Sequence, residues 1–325
     1  MERKTREGMR PNPVSNGVKI FSFLCVLAFS ASSALAADPV AELASFSVFP
    51  KVDLAQLSKG DVKPVRGGSL GSARTLFVQT AYVAPHPPSA LLAKMRGWNP
   101  AGHPELKVYL HIDSTNFSRL QNPPENSAVR YLMTATSQNS ADLQLSAAEK
   151  KLLPGENFAS VWTKILGDRA RAGISGQPPY DNTSPPVRPS DEVNALLRGQ
   201  DKIGRQFSGV LGGSKEPYWE LLNVDERGVL TLGGFTSRSG AGGSIQTANA
   251  HYYASGGYYA GLTLHQLWPV QVDGRASTLV WRGDMVSSGS VAALRGIERI
   301  AAESTMIKDI SRVVSSFRRD TGSVR

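Results

Sequence analysis

Two stretches of the chain alternate hydrophobic and polar residues, and the segments between and after them repeat at helical spacing. The first strong element lies in "ARTLFVQTAYVAP", where residues 75–83 favour a strand that Pro85, Pro87 and Pro88 terminate, because proline cannot continue a ladder but opens a helix well. "PPSALLAKMRGW" then sets Leu91, Leu92 and Met95 on one helical face. In "ELKVYLHID", Leu106, Val108, Leu110 and Ile112 alternate, the mark of a strand with one buried face. The short apolar pieces of residues 37–73, with the turn-rich "RGGSLGSAR", read as a lead-in segment.

From about residue 114 to 213 the pattern is helical. Ser146 with Glu149 three residues on forms a capping box. Phe158, Val161, Trp162, Ile165 and Leu166 recur at helical spacing up to Gly173, and after a proline-rich loop Ser190 is placed to cap a further helix. This stretch reads as a helical insertion.

Alternation returns in "PYWELLNVD", "GVLTLGGFTSR", "SIQTANAHYYA", "YYAGLTLHQLWPV" and "ASTLVWRGDMV". Short turns rich in glycine and aspartate separate most of these runs, which predicts an antiparallel meander of five strands. The segment that follows predicts about 28 helical residues, roughly 42 Å long at the usual rise. Ala293, Ile297, Ile300, Ile307, Ile310, Val314 and Phe317 form its apolar stripe. Such a stripe needs a partner, and the sheet is the large one available.

The amino-terminal 36 residues change the picture of compartment. Five basic residues precede the apolar run "IFSFLCVLAF", and "SASSALA" ends at Ala36, which reads as a Sec-type signal peptide cleaved there. The apolar run is shorter than the roughly 20 residues of a membrane span. Cleavage removes Cys25, the only cysteine, so the mature chain has no disulfide; this suits a bacterial periplasm or the cell exterior. The signal's five basic and two acidic residues carry +3 of the chain's +9 and leave +6 on the mature protein. Its basic residues are scattered apart from "FRR" at 317–319, so no stripe suited to nucleic acid is present. A peripheral contact with an anionic membrane surface stays open.

Motifs that name a reaction are missing. "GVLGGSK" lacks the spacing of a phosphate-binding loop, and neither a G-x-S-x-G elbow nor H-E-x-x-H occurs. His86, His103, His111, His251 and His265 are the five histidines, and a zinc site would have to assemble from distant positions; no metal or other cofactor is implied. His86 and His103 read as surface loop residues. Asp113, Glu220 and Asp284 are available as general acids or bases, a role that only geometry can establish.

Residues two apart on a strand share a face. Tyr258, Ala260, Leu262, Leu264, Gln266 and Trp268 therefore fall together, opposed to Tyr259, Gly261, Thr263, His265 and Leu267. Leu279, Trp281, Gly283 and Met285 oppose Thr278, Val280, Arg282 and Asp284. His251 and His265 are candidates to meet across adjacent strands on the outer face.

The order of elements, carried by "FVQTAYVAPHPPSALLAKMRGW" at the start and "STLVWRGDMVSSGSVAALRGIERIAAESTMIKDISRVV" at the end, resembles the START-like, or helix-grip, superfamily of lipid-transfer domains and polyketide cyclases. The resemblance implies an α+β fold, with a curved antiparallel sheet of about seven strands wrapped on the long C-terminal helix. The domain would span residues 74–320, interrupted at about 114–213 by the insertion and followed by a tail at 321–325. A cavity between sheet and helix would hold a hydrophobic, lipid-like small molecule. Tyr258, Leu262, Leu264, Gln266, Trp268, Leu279, Trp281 and Met285 are expected to form its wall; the competing reading has the same residues filling a solid core. On this view the protein is a carrier. An enzyme on the same scaffold, a cyclase or hydrolase, would instead bring Arg282, Asp284, His251 or His265 into the cavity, and an envelope interaction module would work through the insertion.

Overall fold

A computed structural model describes residues 38–60, 62, 64–213 and 215–322. The signal peptide expected at residues 1–36 falls outside the described residues, as does the end of the tail. Eight strands form one antiparallel sheet among the described residues, flanked by ten α-helices. The strands are β1 (Val65–Arg66), β2 (Thr75–Ala84), β3 (Val108–Ile112), β4 (Glu216–Val224), β5 (Arg227–Ser239), β6 (Ile245–Ala254), β7 (Ala260–Val272) and β8 (Arg275–Ser287). Their order across the sheet is β1-β2-β8-β7-β6-β5-β4-β3, so the first long strand pairs with the last and the meander leads back to β3. The hairpin turns explain the tight connections. Asp225 and Glu226 between β4 and β5, and Asp273 and Gly274 between β7 and β8, all have positive φ, as primed turns require.

The helices are α1 (Pro39–Phe46), α2 (Leu54–Ser58), α3 (Pro88–Gly97), α4 (Ser127–Ser137), α5 (Ala147–Lys150), α6 (Phe158–Ala172), α7 (Pro189–Arg198), α8 (Asp201–Gln206), α9 (Gly289–Ala293) and α10 (Gly296–Asp320). The insertion predicted at about 114–213 is the segment that supplies α4 to α8. The Ser146–Glu149 capping box is present on α5. Ser190 does not cap α7: Pro189 already opens that helix, and Arg188 stands at its N-cap. The lead-in segment is part of the fold, because β1 pairs with β2 and Phe46 of α1 packs edge-on against Trp281 with ring centroids 5.0 Å apart.

Both faces of the sheet are covered, by different partners. The main core joins one face to α1 and the insertion, with Phe46, Phe207, Trp268 and Trp281 in mutual contact. Arg169 of α6 is fully buried within this layer. Its Nε and Nη2 each donate to Glu149 at 2.6 Å, and its guanidinium lies 4.1 Å from the centroid of the Tyr253 ring. One ion pair thereby links two helices of the insertion to β6.

A smaller core joins the other face to α3 and the C-terminal half of α10, through Tyr82, Leu91, Leu267, Val280, Val314 and Phe317. Arg318, also buried, donates to the Gly60 carbonyl at 3.0 Å and lies over the Tyr82 ring. Trp98 Nε1 and His103 Nε2 meet Asp320 Oδ2 at 2.8 and 2.7 Å, and His86 Nε2 lies 2.7 Å from the Thr321 carbonyl. The end of α10 is thus fixed at several points. Its beginning is tied by Arg299, which donates to the carbonyls of Ala73 and Thr75 at 2.8 and 2.6 Å, and by Glu303, 2.9 Å from Arg66. An extended Leu294 separates α9 from α10, so the single helix of about 28 residues is two, and Ile297 and Ile300, 85% and 48% exposed, drop out of the predicted stripe.

Removing one partner of a buried ion pair strands the other charge, at a cost of about 3–5 kcal/mol. Glu149→Ala is expected to lose about that much in urea unfolding; a loss below about 1 kcal/mol, the range of exposed pairs, would contradict this account of the insertion's docking.

Candidate functional site

On the face covered by α3 and α10, the sheet is polar at its centre. Opposite residues in an antiparallel pair share a face. The register sets Arg282 beside His265 and Asp284 beside Thr263, His265 beside Thr247, and Asn249 beside Thr263. On the next strands Glu220 pairs with His111, and Tyr218 with Gly233. Gly233 makes room for the tyrosine ring, since a Cβ there would fall 2.0 Å from Cζ of Tyr218.

The polar floor and the helices above it line a partly open cavity of about 800 Å³. Met95 and Trp98 from the α3 side, Phe235 from β5, and Met306, Ile310 and Phe317 from α10 give it apolar walls and roof. At the rim, Arg96 bonds Glu216 through Nε and Nη2, at 3.1 and 2.7 Å. Both side chains are largely exposed, so this bridge adds little stability.

Two groups of polar side chains occupy the floor. In the first, Arg282 donates from Nε and Nη2 to the two oxygens of Asp284, each at 2.7 Å, and Thr263 donates to Asp284 at 2.9 Å. Beside them His265 is paired with Thr247 at 3.0 Å; burial, reinforced by the Arg282 charge, pushes it well below the ordinary histidine range, so it is neutral. Burial also raises Tyr82 to about 12, although Arg282 and Arg318 oppose the shift.

The second group is a chain of five ionisable residues. Glu220, buried, receives His111 Nδ1 at 2.8 Å on one oxygen and faces His251 Nε2 at 3.3 Å with the other. His111 Nε2 reaches Asp113 at 2.9 Å, and His251 Nδ1 lies 2.8 Å from the Tyr258 hydroxyl. The partners dictate the protonation states. Burial raises the pKa of Glu220, but the hydrogen bonds from His111 and His251 outweigh it and hold the carboxyl at about 2. His111 faces a carboxylate with each ring nitrogen and must donate from both, as imidazolium. Burial opposes that charge, yet Glu220 and then Asp113 raise its pKa overall. His251 turns Nε2 to Glu220 and Nδ1 to the Tyr258 hydroxyl. Tyr258 stays a phenol, its pKa lifted well above 10 by burial and by the Glu220 charge.

The predicted wall divides. Tyr258, Leu262 and Met285 border the cavity, whereas Leu264, Gln266, Trp268, Leu279 and Trp281 do not. Leu264, Trp268, Leu279 and Trp281, with most of Leu262 and Met285, pack into the main core beneath the insertion. The face assigned to the terminal helix is therefore the face the insertion covers. Gln266 Oε1 receives Gln246 Nε2 at 2.6 Å and Gln206 Nε2 at 3.3 Å, so protein groups satisfy its buried carbonyl oxygen. Tyr258 reaches the other face because it precedes β7, outside the alternation that governs the strand. His251 and His265 share the cavity floor rather than an outer surface, and they do not meet: His265 is opposite Thr247 and His251 opposite Gly261. Arg282, Asp284, His251 and His265 all line the cavity, as do Asp113 and Glu220. No group of three or more histidine, aspartate, glutamate or cysteine side chains with metal-holding geometry occurs among the described residues.

No protein-family model, curated protein or solved structure matches the chain.

The five-residue chain makes stability depend on pH. Glu220 titrates lower in the folded protein than its ordinary 4.5, so its contribution is complete above that value and disappears as pH falls toward about 2. His111 titrates above its ordinary 6.5, so its contribution is complete below that value and is lost as pH rises through the raised pKa. The difference in melting temperature between the wild type and Glu220→Gln should accordingly be greatest between about pH 4.5 and 6.5 and shrink on both sides; a constant difference from about pH 3 to 9 would contradict the assignment.

Proposed function

We propose that the mature chain is an exported protein that binds one amphipathic small molecule between the sheet and α10, on a helix-grip scaffold of the START-like kind. The scaffold reading is supported by the strand order, in which β2 pairs with β8 and the meander returns to β3, and by the terminal helix packed on one face. The export reading rests on the basic, apolar and small-residue pattern of residues 1–36. No helix among the described residues is long and apolar enough to cross a membrane.

The observation that carries the binding reading is the cavity itself. Its volume of about 800 Å³ falls within the range of small-molecule sites, and it sets the polar floor of the sheet against apolar side chains of α3 and α10, with Arg96, Lys215 and Glu216 also in its lining. A wholly hydrocarbon ligand would cover the Arg282–Asp284 pair and the His111–Glu220–His251 chain without replacing their water, which costs free energy. The occupant that suits both surfaces has an apolar or ring-shaped body under Met306 and Ile310 and a polar end on the floor.

Anilinonaphthalene sulfonate, an aromatic anion whose fluorescence rises in apolar surroundings, should bind the mature chain saturably at one site. Met306→Trp places a large ring in the roof and is expected to weaken that binding by about tenfold or more, about 1.4 kcal/mol. Ile300→Trp, on the exposed half of α10, should leave it unchanged. Absence of saturable binding, or equal affinity in Met306→Trp, would refute the reading.

A further inference from the structure

Within the cavity, the Tyr258 hydroxyl stands at the end of a line that runs by a hydrogen bond to His251 and from there by a 3.3 Å contact to the buried carboxylate of Glu220. The distances are 2.8 Å from Tyr258 to Nδ1 and 3.3 Å from Nε2 to Glu220. The order, a hydroxyl, then an imidazole, then a carboxylate fixing the ring's far nitrogen, matches the requirements of a general base acting through a hydroxyl. We propose that Tyr258 and His251 form a proton-transfer pair that abstracts a proton from the carbon next to a carbonyl of a bound ketone, with Glu220 positioning His251. The proposal rests on the cavity reading and names the chemistry of its occupant.

The step balances without a co-reactant. The substrate's C–H bond breaks and its electron pair passes into the enolate. The released proton bonds to the Tyr258 oxygen while the phenolic proton moves to Nδ1 of His251. The resulting imidazolium keeps its Nε2–H on Glu220, and reversal returns a proton to carbon. Substitution at one side of the line is transmitted through the other members because each nitrogen and oxygen has a fixed partner.

The surroundings suit this use better than a purely structural one. An apolar set of similar volume commonly serves stability as well as a buried ion pair does. Here three charged groups, His111, Glu220 and Asp113, are assembled beside the His251 ring. The groups facing His251 are Glu220 and Tyr218 from β4 and Tyr258 from the turn before β7, and His111 on β3 stands behind Glu220. His111 is bound on both sides and offers no free nitrogen to a substrate, so His251 is the member of the chain able to gain a proton.

The test follows loss of deuterium from β-tetralone, a two-ring ketone labelled beside its carbonyl, by proton NMR with the mature chain. The ketone is supplied at a concentration that displaces anilinonaphthalene sulfonate. Exchange is expected to exceed the buffer rate by about a hundredfold or more, the lower range for positioned acid–base groups. Tyr258→Phe, which keeps the ring, and His251→Asn should each remove most of that gain while still binding the dye. Glu220→Gln should lower kcat about tenfold with KM unchanged, a split that a merely structural role would not produce. Exchange at the buffer rate in a protein that binds the dye overturns the proton-transfer pair and leaves the cavity reading standing. Failure to bind the dye at all overturns both. Wild-type exchange in both Tyr258→Phe and His251→Asn overturns the assignment of these residues.

Discussion

Each central strand of the sheet has to satisfy two chemically different coverings, because residues two apart along a strand project to the same face. On β7 and β8 one set, Leu264, Trp268, Leu279 and Trp281, meets the insertion and α1 in a filled core. The alternate set, Thr263, His265, Arg282 and Asp284, cannot be buried under hydrocarbon without partners. It is buried instead beneath a cavity and among its own hydrogen bonds. A slip of one residue in the register would exchange the two sets and place charged groups against Phe46 and Phe207. The solid layer and the hollow one therefore depend on the same alternation.

The two layers use ions differently. In the insertion, Arg169 and Glu149 face each other directly, and the guanidinium also lies over Tyr253, so the pair acts as an internal fastening. On the other face, Glu220 divides its two oxygens between two histidines, and the chain ends at a hydroxyl on the cavity wall. The apolar half of α10 covers the cavity while its C-terminal end is fixed by Arg318, Trp98 and His103. Arg299, which donates to the carbonyls of Ala73 and Thr75, holds the other end, and the stretch between the two anchors roofs the space.

Much of the architecture was legible because it rests on local signals. Proline after Ala84, the turn at Asp273, the capping box at Ser146 and the alternation in β7 and β8 all act within a few residues, and the turn expected at 226–228 falls one residue earlier, at Asp225 and Glu226. The partner of each face was not legible. Trp268 and Trp281 look equally suited to a ligand wall and to a packed core, and only the position of the insertion decides between them. The site was visible in part: Arg282 and Asp284 stand two apart, and Thr263 and His265 alternate with leucines. The Glu220 chain was hidden, because His111, Glu220 and His251 come from three strands whose pairing no local pattern specifies. Tyr258 borders the cavity as expected, but not on the face of Leu264 and Trp268, because it precedes β7 and lies outside that strand's alternation.

Methionine-methyl NMR of the mature chain, titrated with anilinonaphthalene sulfonate, tests directly which face is hollow. Met95 and Met306 border the cavity, whereas Met133 is exposed on α4 in the insertion layer. The account predicts that the Met95 and Met306 signals move together and saturate while Met133 stays still. Movement of Met133 with Met95 and Met306 unchanged would place the ligand on the insertion side and contradict the account.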